Sequence, residues 1–415
     1  MKQALRITIF VLFLITGGVA DGQMQIINQF LTAEDSLAAS TANIGRKTYL
    51  GSYGEAKYQY NFTQGSGQAT LQRLVLFVGH RFNKRISFFS EIEIENAVIE
   101  ASRFTGEISI EQAFLRFGLN RDIYITAGLF LPRIGMMNEN HLPTNYWSVD
   151  RPAVETLIIP TTWREIGIGL NGAIPKIPGF QYNLSILNGL NAARFSNGSG
   201  ISEGRGLGAQ APSKNLAVTG AVSYTMNGIR AQISGYYGGA VGVSRRTADS
   251  LQLSTGIFGT PVVLVEGNIQ YSGYGFYAKA IYAAFWVPDA YKVNRAYANN
   301  TPSSAWGAYG ELGYNLFYPV KTIRSDRSLV PYVRFEILDL NQTVPENGIK
   351  TGTNRQMYLT AGVAYQPIRP VIIKLNYQWR HTDNPNPALI INPFPQQLPY
   401  QNANHILQIG VGYNF

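Results

Sequence analysis

Short segments in which apolar and polar residues alternate recur along most of the chain. The last nine residues, LQIGVGYNF, place large apolar side chains at every second position and glycine or amide residues between them. Because a strand points successive side chains to opposite faces, this pattern predicts a β-strand with one apolar face and one small or polar face.

Alternating runs bounded by turn residues predict sixteen strands. We place them near 48–62, 69–79, 85–95, 106–119, 121–130, 162–171, 179–188, 213–226, 228–241, 259–271, 273–285, 304–316, 328–338, 355–366, 370–380 and 403–415.

The predicted connections fall into two classes. Those after even-numbered strands are mostly tight, as at 83–85, 119–122, 226–228, 271–273 and 366–370. Those after odd-numbered strands tend to be longer, namely 131–161, 189–212, 242–258, 286–303, 339–354 and 381–402. An even strand count with short turns at one end and long loops at the other is the plan of an outer-membrane β-barrel.

The polar faces of these strands are too charged to form the core of a soluble protein. In PVIIKLNYQWR one face carries Lys374, Asn376, Gln378 and Arg380. Burying such charges without partners would cost several kcal/mol each. Apolar faces turned to lipid and polar faces turned to an aqueous lumen remove this conflict. The expected outward aromatic residues near strand ends are Tyr224, Tyr237, Tyr271, Tyr314, Tyr377, Trp379, Tyr413 and Phe415.

The N-terminus has the pattern of a secretory signal peptide. Lys2 and Arg6 precede an apolar run and then small residues, so we expect cleavage after Ala20 or Gly22. An uncleaved anchor is the alternative, but the run is short for a membrane span. Residues 23–47 would then form a periplasmic leader, which either stays flexible or plugs the pore as a short helix.

Composition agrees with a β-rich exported protein. The chain of 415 residues has 42 glycines and 25 tyrosines, 14% charged residues and a formal net charge of +9. Removing residues 1–22 takes away two basic residues and one acidic residue and leaves about +8. The absence of cysteine excludes disulfides, thiolate metal sites and cysteine nucleophiles.

Several segments resemble the porin O / porin P (phosphate-selective porin) superfamily of outer-membrane porins, in its Bacteroidetes-type branch. They are SYGEAKYQYNF, QRLVLFVGHRFNKRISFFSEIEIENA, GEISIEQAFLRFGL, AGLFLPRIGMMNENHLPTNYWSVDRPAVETLIIPTTWREIGIGLNG and the terminal YNF. The resemblance implies sixteen strands, a homotrimer and a third long loop folded into the lumen as a constriction. It also implies that the outer-membrane assembly machinery recognises the terminal Phe415.

The loop at 131–161 is the candidate for this constriction. It contains prolines, which stiffen a loop by fixing φ, and long ordered loops are usually functional. An external lid that never enters the pore is the alternative, and His141 alone is expected to make an ordinary loop hydrogen bond. The candidate constriction residues are Arg133, Glu139, His141, Asp150, Arg151 and Glu155, with Arg164 just beyond.

Charges on the lumen wall are expected to set ion selectivity. By parity the basic residues Arg230, Arg334, Lys374 and Arg380 face inward, and Lys279 is a further candidate; Glu91, Glu93, Glu95, Glu107 and Glu111 also face inward. Acids on one wall and bases on another would create a transverse field. The glutamate row departs from the arginine ladder of the phosphate-specific relatives, so the net charge favours only a mild anion preference, with unselective solvated charges as the alternative.

These observations predict an all-β transmembrane antiparallel barrel in the outer membrane of a Gram-negative bacterium. It would let small hydrophilic solutes or ions diffuse passively, without a cofactor, a metal or nucleic acid. Its partners would be outer-membrane lipid, the assembly machinery, and small polar or anionic solutes. A plugged barrel with a structural or binding role and, less favoured, a barrel enzyme remain open. The sequence contains no H-E-x-x-H or Walker motif and no G-x-S-x-G elbow between a predicted strand and helix, since the G-x-S-x-G match at 200–204 lies within the predicted loop 189–212.

Overall fold

The computed structural model describes residues 47–96, 106–209, 211, 214–320, 322, 326–386 and 401–415. The predicted signal peptide and all but the last residue of the predicted leader lie outside the described residues. The sixteen strands are β1 Thr48–Asn61, β2 Ser66–Arg81, β3 Ile86–Glu95, β4 Glu107–Gly118, β5 Ile123–Phe130, β6 Glu165–Ala173, β7 Phe180–Asn188, β8 Leu216–Met226, β9 Ile229–Gly239, β10 Pro261–Gly273, β11 Phe276–Trp286, β12 Ser304–Tyr314, β13 Ser328–Thr343, β14 Arg355–Ile368, β15 Val371–Thr382 and β16 Ala403–Asn414.

The strands form one closed antiparallel barrel. Each strand pairs with its neighbour in sequence, and β16 closes the ring on β1 with the register Tyr53↔Asn414 to Asn61↔Ile406. The predicted fold class and strand number are therefore confirmed. Most predicted strand bounds agree within three residues, but β13 runs five residues further, to Thr343.

In the described connections there are three short α-helices. They are α1 Ala153–Leu157, α2 Arg245–Ser250 and α3 Ala290–Tyr297, and 3-10 turns occur at Pro143–Asn145, Ala192–Arg194, Ser202–Gly204 and Gly352–Asn354. Among the described residues, no helix has the length and apolar character to cross a membrane. Residues 131–164 connect β5 to β6 and contain α1; we call them the β5–β6 loop.

Side-chain burial alternates along the strands as the sequence pattern predicts. In β9 Ile233 is 69% exposed on the outer surface, whereas its neighbours Gln232 and Ser234 are buried on the inside. The same inversion appears in β15, where Leu375 and Tyr377 are exposed and Lys374 and Asn376 are buried. The exterior of the barrel is thus apolar and its interior polar, as expected of a sheet between lipid and water.

Two β-bulges change the parity of the first four strands. The β1–β2 register passes from Glu55↔Arg73 to Ala56↔Leu71, so that Gln72 is the additional residue. The β3–β4 register passes from Glu91↔Gln112 to Ile92↔Ile110, which makes Glu111 the additional residue. A bulge reorients the side chains on either side of it, and both bulges lie beside the polar site described below.

One part of the interior departs from the expected polar face. Tyr53, Val75, Phe77, Phe89 and Phe114 are buried inside the barrel on β1 to β4, with the Phe77 and Phe89 rings stacked at 6.1 Å. This apolar lining belongs to a cluster that also includes residues of the β5–β6 loop, such as Leu142 and Ile134. The interior wall is therefore apolar where a loop packs against it.

We expect Ile233→Arg to destabilise the barrel in lipid by about 2–4 kcal/mol, because it places a charge on the outer face in the middle of β9. The inward-facing substitution Gln270→Arg on the adjacent strand is the matched control and should cost little. Urea unfolding of both variants in phospholipid vesicles measures the difference. Equal destabilisation by the two substitutions would contradict the assignment of the faces.

Candidate pore constriction inside the barrel

The β5–β6 loop contacts inward-facing side chains on opposite sides of the barrel. On β1, Lys57 Nζ lies 2.6 Å from Asp150 Oδ1 of the loop. On β9, Gln232 Nε2 donates to the Gly135 carbonyl of the loop at 3.0 Å. Strands β1 and β9 lie eight positions apart in the ring of sixteen, whichever way the ring is followed. The loop therefore reaches across the space that the strands enclose.

The middle of the loop is held by polar side chains of β13 and β15. Arg334 Nη1 donates to Ser148 Oγ at 2.5 Å, and the Val149 amide donates to Asn376 Oδ1 at 2.8 Å. Arg334 also pairs with Glu336 at 2.7 Å. These contacts join groups that are far apart in sequence and fix the path of the loop against one side of the barrel.

Inward-facing glycines of β16 leave space for the β5–β6 loop to pack closely against the barrel wall. A Cβ atom added to Gly410 would lie 3.2 Å from Val149 side-chain carbons, and one added to Gly412 would lie 2.6 Å from Pro143 Cβ. The small face of the terminal strand therefore meets the β5–β6 loop, while its large residues, such as Val411, point outward.

Glu155 on α1 anchors the loop from within. Its Oε2 accepts hydrogen bonds from the amides of Met136 and Met137 at 2.8 and 2.6 Å, and its Oε1 accepts one from the Tyr309 hydroxyl at 2.6 Å. Burial outweighs these hydrogen bonds and raises the pKa of Glu155 to about 7. The side chain is fully buried, so it acts on the seating of the loop and does not meet solutes.

A cavity of about 420 Å³ lies between the loop and the wall formed by β2, β3 and β4. Its lining is predominantly polar and contains four arginines and four acidic residues. The lining residues are Gln72, Arg73, Glu93, Glu95, Glu107, Ser109, Asp150, Arg151, Thr156, Thr161, Thr162, Arg164, Arg205 and Leu207. This is the candidate functional site.

Some of the lining charges are already paired, either with one another or with charged residues outside the lining. Arg73 lies 2.8 Å from Glu55 and 3.6 Å from Glu93, and Asp150 is bound to Lys57. The bases are thus interspersed with the acids on the same wall, and the expected separation of acidic and basic walls is not observed there.

Two of the remaining arginines of the cavity, Arg164 and Arg205, bind neutral oxygens. Arg164 Nη2 donates to Ser109 Oγ at 3.0 Å, and Arg205 Nη1 donates to the Pro160 carbonyl at 2.7 Å. Burial and the adjacent Arg164 guanidinium lower the pKa of Arg205. The buried Nε and Nη2 atoms of Arg151 donate to no acceptor among the described residues. Arg151, Arg164 and Arg205 all line the cavity.

The structure distributes the predicted site residues over two environments. Asp150, Arg151, Arg164, Glu93 and Glu95 line the cavity. The others lie outside its lining: Arg133, Glu139, His141, Glu155, Arg230, Arg334, Lys374, Arg380 and Glu91.

Residues outside the lining have local partners instead. Arg133 pairs with Glu139 at 2.6 Å, so neither is directed at the cavity. Lys374 is buried with its ammonium 3.5 Å from the centre of the Tyr146 ring. Tyr146 of the loop covers Lys374, and strand parity alone cannot reveal such cover.

Arg73 and Arg205 are lining residues that the sequence reasoning missed. Around Arg73 the strand LQRLVLFV is apolar on both faces, and the bulge at Gln72 shifts its parity, so alternation gives no orientation. Arg205 lies in the β7–β8 connection, whose path no periodic pattern specifies. The sequence indicates Arg205 as a candidate only through the presence of a basic residue in a long loop.

Comparison with known proteins identifies the fold. No protein-family model matches the chain. An uncharacterized protein of Aquifex aeolicus is 28% identical over 355 residues, covering 82% of this chain and 77% of the relative. The outer membrane channel DcaP of Acinetobacter baumannii has 12% identity and a TM-score of 0.52, covering 89% of this chain and 97% of DcaP. OprB of Pseudomonas putida has 9% identity and a TM-score of 0.56, covering 92% and 97%. At these identities the two structures show a shared barrel fold.

We expect Glu155→Gln to flatten the pH dependence of stability. The pKa of Glu155 in the folded chain, about 7, exceeds the ordinary value of 4.5. The protonated Glu155 side chain therefore makes its full contribution to the free energy of unfolding below pH 4.5. This contribution, roughly 3 kcal/mol, is lost as pH rises through 7. Glutamine remains neutral and can still accept from the two amides. Thermal unfolding of wild type and variant between pH 4.5 and 8 measures the difference, and parallel curves would contradict this role of Glu155.

Proposed function

We propose that the protein is an outer-membrane porin through which small hydrophilic solutes and ions diffuse passively. The observation that carries this proposal is the polar cavity between the β5–β6 loop and the β2–β4 wall, inside a closed barrel with an apolar exterior. A structurally similar protein, DcaP, is an outer membrane channel. The chain would be exported by its signal peptide and inserted with the help of the terminal Phe415.

In this proposal the β5–β6 loop is the constriction. Its contacts with β1, β9, β13 and β15 support this role over that of an external lid. The loop narrows the interior to the cavity beside β2–β4, where steric size and fixed charge filter the solutes.

We further propose a mild preference for anions. Glu93 is paired with Arg73, and Asp150 is paired with Lys57. Arg151, Arg164 and Arg205 bind neutral oxygens or have unsatisfied nitrogens, and they face the cavity opposite Glu95 and Glu107. This small excess of available positive charge favours anions without the strong field that specificity for phosphate would need.

The other functions considered have less support. An enzyme is less favoured because the cavity lining offers no histidine to act as a general base beside its serine and threonine hydroxyl groups. The plug considered for residues 24–47 lies, apart from Lys47, outside the described residues. The homotrimer and the porin O / porin P membership that the sequence resemblance implies stay predictions; chemical cross-linking in native membranes tests the trimer.

We expect Arg151→Ala to raise single-channel conductance and shift the reversal potential in a KCl gradient toward cation selectivity. The substitution removes a cavity-lining cation and side-chain volume together. Arg85→Ala, in the exposed β2–β3 turn, is the matched control and should leave both quantities unchanged. Planar-bilayer recording of the three proteins makes the comparison.

Two outcomes would overturn the proposals. Absence of any conductance in the wild-type chain would favour a plugged barrel over a porin. Wild-type conductance and selectivity in Arg151→Ala would remove the cavity from the permeation path.

A further inference from the structure

We propose that Glu91, Glu111 and His141 form a binding site for a divalent transition-metal cation such as Zn²⁺, which fastens the β5–β6 loop to the barrel wall. One ligand atom from each of the three residues lies within 4.8 Å of the others, and all three side chains are buried. This site is separate from the cavity lining and goes beyond both the proposed transport function and the sequence-based expectation for His141.

The three residues come from different elements. Glu91 and Glu111 lie on the neighbouring strands β3 and β4, and His141 lies on the loop. Glu111 is the additional residue of the β3–β4 bulge, which turns its carboxylate inward beside Gln112. Gln112 Nε2 donates to Glu91 Oε2 at 2.7 Å and orients that carboxylate.

His141 is oriented as a metal-binding histidine. Its Nδ1 lies 2.9 Å from the Asn138 carbonyl oxygen, which can only accept, so Nδ1 carries a proton. In the neutral imidazole the lone pair is then on Nε2, which faces Glu111 Oε1 at 3.7 Å. A hydrogen bond from the distal nitrogen to a backbone carbonyl is the usual way in which proteins orient a histidine ligand.

Glu111 has an oxygen available for a cation. Its Oε2 accepts from the Tyr53 hydroxyl at 3.2 Å, and that hydroxyl lies 2.8 Å from His141 Nε2. The other oxygen, Oε1, is buried and accepts no hydrogen bond of ordinary geometry among the described residues, although the Thr162 side chain adjoins the carboxylate. The Tyr53 hydroxyl is placed to act as a further oxygen ligand or to hydrogen-bond to one.

The charges around the cluster also favour a cation. Arg73 is the nearby arginine, and it is bound to Glu55 and Glu93. Glu91 and Glu111 bring two buried carboxylates together beside one imidazole. Buried carboxylates are unfavourable unless they are paired or coordinate a metal, and a divalent ion would neutralise both.

The donor set indicates the class of metal. One imidazole nitrogen with carboxylate oxygens suits Zn²⁺ and neighbouring divalent transition metals, whereas Ca²⁺ and Mg²⁺ prefer all-oxygen sites with more ligands. Since the ligands join the loop to the wall, binding should stabilise the seated loop by mass action.

The test is to refold the full chain, purified from membranes, from urea into detergent with and without ZnCl₂. After desalting, elemental analysis should find one zinc per folded chain, and the zinc-loaded protein should unfold at a higher temperature. Glu111→Gln and His141→Gln should reduce bound zinc at least about 10-fold. Glu165→Gln is the matched control, because Glu165 is equally buried, lies on β6 and belongs to no such cluster in the described part of the chain; it should retain one zinc.

Folding of each variant is checked by circular dichroism. Absence of zinc in the folded wild type, or its retention in both folded ligand variants, would overturn the proposal. X-ray absorption at the zinc edge of the wild type provides a readout that does not depend on variant folding. It should show one imidazole nitrogen with oxygen neighbours, and a spectrum without imidazole would reject the site.

Discussion

Closure of the sheet is the constraint on which the other features depend. The pairing of β16 with β1 leaves no free edge in the ring, so the strand backbones find their hydrogen-bond partners within the barrel. In a hydrocarbon layer an unpaired backbone group costs several kcal/mol, which makes closure a condition of insertion. The outer face must then be apolar. Charged and hydrogen-bonding side chains are therefore restricted to the inward face of the strands and to the loops that enter the interior.

This restriction forces charges together on a concave wall. Arg73 lies between Glu55 and Glu93, and Arg334 lies 3.3 Å from Glu311 and 2.7 Å from Glu336. Where the β5–β6 loop covers such a group, the loss of water makes local pairing necessary. Where the wall stays open, as beside Arg151, a guanidinium lines the cavity without such cover.

The sequence predicts the barrel far better than it predicts the site. Alternation is a local signal, and it locates all sixteen strands and the inward direction of residues such as Lys374. The cover over Lys374 comes from Tyr146, more than two hundred positions away in the chain, and no local pattern encodes that contact. Arg73 is missed for another reason: its strand is apolar on both faces and a bulge shifts its parity.

The position of the cavity depends on where the inward-facing residues of the barrel wall are small. On β12 and β16 the inward glycines Gly307 and Gly410 allow Val154 and Val149 to approach the backbone closely. On β2 to β4 the inward residues at the same site are long and charged, such as Arg73 and Glu93, and the loop cannot pack flush against them. The loop therefore fills one side of the interior and leaves the open space beside the charged strands. In the proposed porin a solute would pass the side where arginines and glutamates are concentrated, so the glycines on one wall would determine which charges on the other wall it meets.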